Sequence, residues 1–353
     1  MTSLDCPEPL HLIKGRMTIT STQSSSGVPP EPMTDQPPVL EATVQAFLDT
    51  VATVGTLSLH ELDFEAARES LRSVQWPPVS APPASIEDGV FPVGPTGSVG
   101  VRIVRPHGSN GGDPVILYLH GGGWMMGGKD THDRLLRELA AGASATIIFV
   151  DYTLAPEARY PVQNEQAYAV LHYIVQNATE LNLDPYRIAI AGDCAGGNIA
   201  AAVTLLAKQR RGPEIVFQLL FYPILGDVAN TGSYQTYKDG PWLTRRATSG
   251  LLDRLFSDPA SRSEITAFPL QASVRQLNDL PEALVIVAEN DVVRDAGESY
   301  VRKLVQAGVS ATSTRYGGTI HDFVMLNGLA EAPATRGAIA QASAALRAAL
   351  YGK

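Results

Sequence analysis

The sequence predicts an α/β fold in which helices cover both faces of a mostly parallel sheet. Six short runs rich in Val, Ile and Leu are expected to form strands, at 99–104, 114–119, 145–150, 187–191, 215–221 and 283–288. Runs that are apolar at consecutive positions suit strands buried on both faces, as in parallel sheets. Because helical segments separate these runs, the alternation predicts a doubly wound α/β sheet.

Helices are expected where apolar residues recur at intervals of three and four. The clearest case is the set Ala167, Val170, Leu171, Ile174 and Val175. Similar spacing predicts further helices at 44–51, 64–71, 199–206 and 251–256, with two more after Asp295 and at 337–350.

The chain is interpreted as a tail, a core and a cap. Residues 1–37 are rich in Ser, Thr, Pro and Gly, cannot bury enough apolar surface to fold, and are expected to be disordered. Residues 85–225 and 281–353 carry the predicted strands and are expected to form the core. The helices at 38–84 and the insertion at 226–280 are expected to form a cap over the site.

Composition excludes several classes of protein. With 353 residues and a hydrophobic fraction of 44%, the chain is long enough to bury a large core. A net charge of −9 offers no basic surface for nucleic acid. No apolar run reaches the roughly 18 residues of a membrane span, and no secretory signal is recognised, so a cytoplasmic location is expected. The only cysteines, Cys6 and Cys194, do not suggest a disulfide framework.

A glycine-flanked turn at 192–196 leads from a predicted strand into a predicted helix. This layout, with the pattern GxCxG, is typical of a nucleophile elbow. Gly192 and Gly196 lack a Cβ, so the chain can turn tightly and push the central side chain out of the sheet edge. The residue presented there is Cys194, which makes it a candidate nucleophile for acyl transfer.

Acyl transfer also needs donors that stabilise an oxyanion. Three consecutive glycines follow the predicted strand at 114–119 and allow the backbone to approach a substrate closely. The amides of Gly121 and Gly122 are therefore expected to join the amide of Ala195 in an oxyanion hole. His120, just before them, is expected to order this loop and not to act as the base.

The remaining requirements are a base and an acid that orients it. Asp291 follows the predicted strand at 283–288, at the edge where parallel sheets carry their ligand-facing loops. It is the candidate acid, with capping of the next helix as the alternative. His321 follows the last predicted strand and is the candidate base.

Five motifs resemble those of the hormone-sensitive-lipase-like esterases, a group within the α/β-hydrolases. They are HGGGW at 120–124, DYTLAPE at 151–157, GDCAGGN at 192–198, DVVRD at 291–295 and IHDF at 320–323. Two of the departures from the group's pattern fall at the nucleophile and beside the candidate base. Cys194 stands where the group has its nucleophilic serine, and Asp322 stands where glycine is usual.

The resemblance covers the chain from about residue 85 to its end. It implies an α/β-hydrolase fold with an eight-stranded sheet and a helical cap, and it selects Asp291 over Asp295 as the acid. It further implies hydrolysis of short to medium acyl esters by a carboxylesterase that needs no metal or organic cofactor. The expected partner is a small ester, and an edge strand near 310–316 favours a homodimer.

Aromatic and Met side chains near the glycine loop and in the cap are candidates for the substrate pocket: Trp124, Met125, Met126, Trp242, Phe256 and Phe323. Glu157 and Arg159 are expected to form a structural ion pair.

Two interpretations of the cysteine stay open at this point. In one, Cys194 replaces the serine of a serine esterase, and activity is weak because the larger sulfur sits out of line with the donors. In the other, a native thiolate paired with His321 performs thiol-dependent hydrolysis or acyl transfer. A ligand-binding receptor built on an inactive hydrolase ranks last, because Asp291 and His321 are both present.

Overall fold

A single eight-stranded sheet lies at the centre of the structure, a computed structural model that describes residues 38–54, 63–226 and 231–352. The strands run in the order β1-β2-β4-β3-β5-β6-β7-β8. Strand β2 is antiparallel to both of its neighbours, β1 and β4, and β3 to β8 are mutually parallel. The predicted tail at 1–37, including Cys6, lies outside the described residues.

The strand bounds are β1 Ala84–Phe91, β2 Val99–Pro106, β3 Asp113–Leu119, β4 Thr146–Asp151, β5 Leu183–Asp193, β6 Phe217–Phe221, β7 Glu282–Asn290 and β8 Ala311–Ile320. All six apolar runs are therefore strands, as predicted. The central strands are apolar at consecutive positions and almost fully buried, which is the burial of a sheet covered on both faces.

The helix bounds are α1 Ala42–Val54, α2 Phe64–Ser73, α3 Lys129–Ala143, α4 Val162–Gln176, α5 Cys194–Arg210, α6 Gly232–Thr236, α7 Arg245–Leu255, α8 Val274–Leu277, α9 Arg294–Gln306 and α10 Pro333–Tyr351. Helices α5 and α10 both cover β5 and β6. Helix α5 packs against α4, and α10 packs against α3. The two pairs lie on opposite faces, so helices cover both faces of the sheet. None of the helices in the described ranges is long and apolar enough to cross a bilayer.

Strand β1 has no counterpart among the predicted runs. It is an edge strand, and most of its residues are partly or fully exposed. Polar residues such as Glu87 and Asp88 are stable at such an edge, so β1 lacks the apolar run that identifies a central strand.

The N-terminal helices are tied to the loops that surround the sheet edge. Arg68 of α2 donates to the Met125 carbonyl at 2.9 Å and pairs with Glu157 at 2.7 Å. The predicted pair of Glu157 with Arg159 is therefore wrong, because Glu157 turns toward the partly buried guanidinium of α2. Just before α1, the Glu41 amide donates to the Gly318 carbonyl at 2.8 Å. The division of residues 38–353 into a core and a cap stays a prediction.

Candidate active site

Four loops that carry the predicted site residues meet at one edge of the sheet. The glycine loop follows β3, Cys194 follows β5, Asp291 follows β7 and His321 follows β8. These four strands are parallel, so their carboxyl ends share one edge, where open α/β sheets bind ligands.

Cys194 sits on a strained turn between β5 and α5. Its φ of 52° lies in the left-handed region, which is unusual for a residue with a side chain. A Cβ on Gly192 would collide with the Gly196 carbonyl, and one on Gly196 would collide with the Leu119 carbonyl. Only glycine fits at both positions, as the elbow pattern predicted.

Asp193 is fully buried and links the elbow to the glycine loop. One of its carboxylate oxygens accepts hydrogen bonds from the Gly121 amide at 3.0 Å and from the Tyr118 hydroxyl at 2.8 Å. Nε2 of His132 lies 3.2 Å from the same carboxylate. Burial opposes ionisation of Asp193, but these contacts outweigh it and hold the pKa of the carboxyl below its ordinary value.

The bond from Gly121 to Asp193 corrects one part of the predicted oxyanion hole. The Gly121 amide is already used, so it is not a free donor. The amides of Gly122 and Gly123 donate to no group within the described residues, and both glycines line the cavity described below. The Ala195 amide belongs to the first turn of α5, where backbone donors have no partner inside the helix.

His120 orders the glycine loop through a hydrogen bond to its backbone, as expected. Its Nδ1 donates to the Gly121 carbonyl at 2.8 Å, and its ring stacks on Tyr152 with centroids 4.2 Å apart. Burial and the neighbouring His132 lower the pKa of His120 to about 3. The imidazole is therefore neutral at physiological pH, and its contacts are structural.

Asp291 and His321 form a buried hydrogen-bonded pair. Nδ1 of His321 lies 2.7 Å from one carboxylate oxygen of Asp291, and the other oxygen accepts from the Val293 amide at 3.0 Å. The second contact caps the turn before α9, so Asp291 both orients the histidine and shapes the helix start. Nε2 of His321 has no hydrogen-bond partner among the described residues.

Cys194, His321 and Asp322 converge at the floor of the site. The thiol sulfur, a ring nitrogen of His321 and a carboxylate oxygen of Asp322 all lie within 4.8 Å of one another. Asp322 Oδ1 is 3.5 Å from His321 Nε2, and Asp322 Oδ2 accepts from Trp242 Nε1 at 3.0 Å. Asp322 has a φ of 65°, a conformation that glycine adopts freely and that Asp tolerates better than most residues.

The charges at this floor shift the titration of all three groups. Burial alone would lower the pKa of His321, but the carboxylates of Asp291 and Asp322 outweigh it and hold that pKa well above its ordinary value. Burial raises the pKa of the Cys194 thiol, and His321 opposes the increase. Burial also raises the pKa of Asp322, against the effect of the His321 imidazolium.

A cavity of about 490 Å³ opens above these three residues. Its walls are mostly apolar and come from α1, α2, the glycine loop and the segment around α7: Leu48, Val51, Ala52, Leu71, Val74, Met126, Pro241, Trp242, Leu243, Ala247 and Leu251. The acidic residues Asp49 and Asp322 also line it, and no Lys or Arg of the described chain does so.

Only two of the aromatic and Met candidates line this cavity. Trp242 forms part of the wall and packs against Phe47 in a tilted arrangement with ring centroids 5.5 Å apart, and Met126 lies beside the glycine loop. Trp124, Met125, Phe256 and Phe323 were expected in the pocket, but their side chains are buried in the core and do not line it. The cavity wall consists instead of small and aliphatic residues of amphipathic helices, for which the sequence gives no signal beyond helical spacing.

Comparison with known proteins agrees with this geometry. A family model described as the alpha/beta hydrolase fold matches residues 116–325. Carboxylesterase NlhH of Mycobacterium tuberculosis is 36% identical over 316 residues, which make up 89% of this chain and 97% of that protein. The chain belongs to the α/β-hydrolase carboxylesterase family.

Two further similarities extend over most of the esterase. A putative alpha/beta hydrolase of Acanthamoeba polyphaga mimivirus, R526, is 37% identical and covers 84% of each chain. The crystal structure of a thermostable esterase from Pseudomonas putida superimposes with a TM-score of 0.87 and 39% identity, over 90% of the esterase and 100% of that chain. The predicted hormone-sensitive-lipase-like family and the α/β-hydrolase fold are both confirmed.

Proposed function

We propose that the esterase hydrolyses short to medium acyl esters through a thioester on Cys194. The observation that carries this proposal is the position of His321. Its Nε2 makes no hydrogen bond among the described residues and lies on the floor of the cavity near the Cys194 sulfur, while Asp291 holds Nδ1. A base fixed by a carboxylate beside a nucleophile that lines a substrate-sized cavity is the arrangement that acyl transfer requires.

In the first half of the reaction, His321 Nε2 takes the thiol proton and the sulfur attacks the carbonyl carbon of the ester. The carbonyl oxygen becomes an oxyanion that the amides of Gly122, Gly123 and Ala195 can stabilise, each such donor being worth about 3 kcal/mol. The tetrahedral intermediate then expels the alcohol, which receives its proton from His321. A thioester on Cys194 remains.

In the second half, His321 takes a proton from a water molecule that attacks the thioester. The second oxyanion forms in the same hole, the C–S bond breaks, and the leaving thiolate receives the proton from His321. Asp291 stabilises the imidazolium in both halves and keeps the imidazole in the tautomer with Nδ1 protonated.

The size and lining of the cavity favour an ester with a small, uncharged acyl group as substrate. Its volume of about 490 Å³ and its aliphatic wall suit a short to medium alkyl chain. Asp49 and Asp322 would repel an acyl group that carries its own carboxylate, and no basic residue among those described offsets them.

Turnover of a p-nitrophenyl ester by Cys194 variants tests the proposal. We expect Cys194→Ala to lose activity. We expect Cys194→Ser to be faster than the chain as it stands by about tenfold or more, because the larger sulfur with its raised pKa is displaced from the donors, and an error of about 1 Å can cost a hundredfold. An active alanine variant overturns the nucleophile assignment. A serine variant no faster than the present chain shows that the site is adapted to sulfur.

A further inference from the structure

We propose that Cys194, His321 and Asp322 form a binding site for one Zn²⁺ ion, which inhibits the esterase by occupying its nucleophile and base. The three side chains supply a thiolate, an imidazole and a carboxylate from one small cluster. These are the three ligand types that Zn²⁺ favours in proteins.

The donor atoms are close enough to share one ion. His321 Nε2 and Asp322 Oδ1 are 3.5 Å apart, near the separation expected for two ligands about 2.0–2.1 Å from a tetrahedral zinc. The sulfur lies within 4.8 Å of both other donors. A small movement of the Cys194 side chain therefore completes three of four tetrahedral positions.

The histidine is already oriented as a metal ligand. A ligating histidine usually donates its second ring N–H to a carboxylate, which fixes the tautomer and makes the free nitrogen more basic. His321 has this partner in Asp291, at 2.7 Å from Nδ1. Its Nε2 is buried, makes no hydrogen bond among the described residues and faces Asp322 Oδ1 at 3.5 Å, so loss of its proton frees a lone pair toward the same point as that carboxylate.

The carboxylate is oriented as well. Asp322 Oδ2 accepts a hydrogen bond from Trp242 Nε1 at 3.0 Å, which leaves Oδ1 turned toward His321. Trp242 therefore fixes the orientation of the Asp322 carboxylate, and Asp291 fixes that of the His321 ring. Both ligands have the outer contacts that zinc sites in proteins commonly show.

Two of the three ligands are residues that depart from the family motif. In the hormone-sensitive-lipase-like pattern, position 194 is serine and position 322 is glycine, so only the histidine would remain to hold an ion. The thiolate also selects the metal, because sulfur ligands favour Zn²⁺ over the hard ions Mg²⁺ and Ca²⁺. A chain that follows the family motifs at both positions would therefore lack the thiolate and the carboxylate of this site.

Binding of the ion has a defined chemical consequence. The thiol loses its proton to solvent on coordination, the Zn–S bond forms, and the fourth position faces the cavity and is filled by water. Neither the sulfur nor Nε2 is then free for ester attack, so inhibition is competitive with the ester. The site itself does not depend on the proposed hydrolysis, because binding is measured directly.

The test is titration of Zn²⁺ into the untagged, full-length protein, with a chromophoric chelator as competitor and a phosphine as reductant. We expect one ion per chain and competition with a non-hydrolysable ester analogue. Replacing Zn²⁺ by Co²⁺ is expected to give a thiolate-to-cobalt charge-transfer band in the near ultraviolet.

Four variants assign the ligands. Cys194→Ser and Asp322→Asn are each expected to weaken Zn²⁺ binding at least about tenfold, the smallest loss typical even of an outer contact. Asn tolerates the left-handed backbone at position 322, so Asp322→Asn is expected to fold as the parent does. Cys6→Ser and Asp239→Asn are the matched thiol and carboxylate controls and are expected to bind as the parent does; Asp239 is a highly exposed acid outside the cavity.

Two results would overturn the proposal. One is the absence of stoichiometric binding at micromolar Zn²⁺. The other is Zn²⁺ binding that is unchanged in Cys194→Ser or in Asp322→Asn, which would place the ion elsewhere. The proposed hydrolysis fails separately, through the turnover of the alanine variant, so the two proposals can be distinguished.

Discussion

Asp322 Oδ1 lies 3.5 Å from Nε2 of His321, on the side of the ring opposite Asp291. The histidine is therefore placed between two carboxylates, whereas the motif of its family supplies one. Asp322 raises the pKa of His321 and also that of Cys194, because its charge favours the imidazolium and repels the thiolate. The pair of nucleophile and base consequently retains its proton to higher pH.

The first prediction concerns this proton. Asp322→Asn removes the charge and is expected to move the acid limb of the pH profile of kcat/KM to lower pH, since both pKa values fall. The measurement is ester turnover from pH 5 to 9 in the presence of a chelator. Asp239→Asn, an exposed acid, serves as the control. A profile unchanged by the loss of Asp322 would contradict the assignment.

The second prediction concerns Asp193, which holds the Gly121 amide at 3.0 Å. Asp193→Ala leaves the buried donors of Gly121 and Tyr118 unpaired, so the glycine loop shifts and kcat is expected to fall by about a hundredfold. Asp193→Asn keeps an acceptor oxygen and is expected to retain more activity. Equal kcat values for the parent and the alanine variant, with both shown to be folded by circular dichroism, would refute this role.

The third prediction concerns the stability of the protein in acid. The pKa of His120 is about 3 in the folded protein, against an ordinary value near 6.5. Between these values the unfolded chain binds a proton that the folded chain does not. Stability is therefore complete above about pH 6.5 and falls as the pH drops toward 3, by up to about 1.4 kcal/mol per pH unit.

Urea unfolding at a series of pH values between 7 and 4 measures this slope. His120→Gln is expected to reduce it, and His107→Gln, which alters an exposed imidazole, is the control. An equal slope in the parent and in His120→Gln would show that the buried imidazole does not cause the acid sensitivity.

The parts of the fold and the site that were predictable are those fixed by backbone geometry. Gly192 and Gly196 mark the elbow because no Cβ fits there, and the apolar runs mark the buried strands because both of their faces are covered. Asp291 and His321 follow parallel strands, so they reach the same edge. These features depend on short stretches of chain and can be recognised from them.

The features that were missed depend on contacts between distant stretches. The Gly121 amide is used by Asp193, 72 residues away, so the free donors shift to Gly122 and Gly123. Asp322 stands out as a departure from the motif, but its link to Trp242 needs the segment before α7 to be in place. The aromatic candidates Trp124 and Phe256 are core residues, since size and apolarity predict burial but not which cavity a side chain faces.

The most direct test of the central claim is detection of the acyl-enzyme. The esterase is mixed with a short-chain p-nitrophenyl ester, quenched in acid during turnover, and analysed by intact-mass and peptide mass spectrometry. We predict one added acyl group, held as a hydroxylamine-sensitive thioester on the peptide that contains Cys194, and absent from Cys194→Ala. Sustained turnover with no adduct on that peptide, or with the acyl group on another residue, would contradict the mechanism.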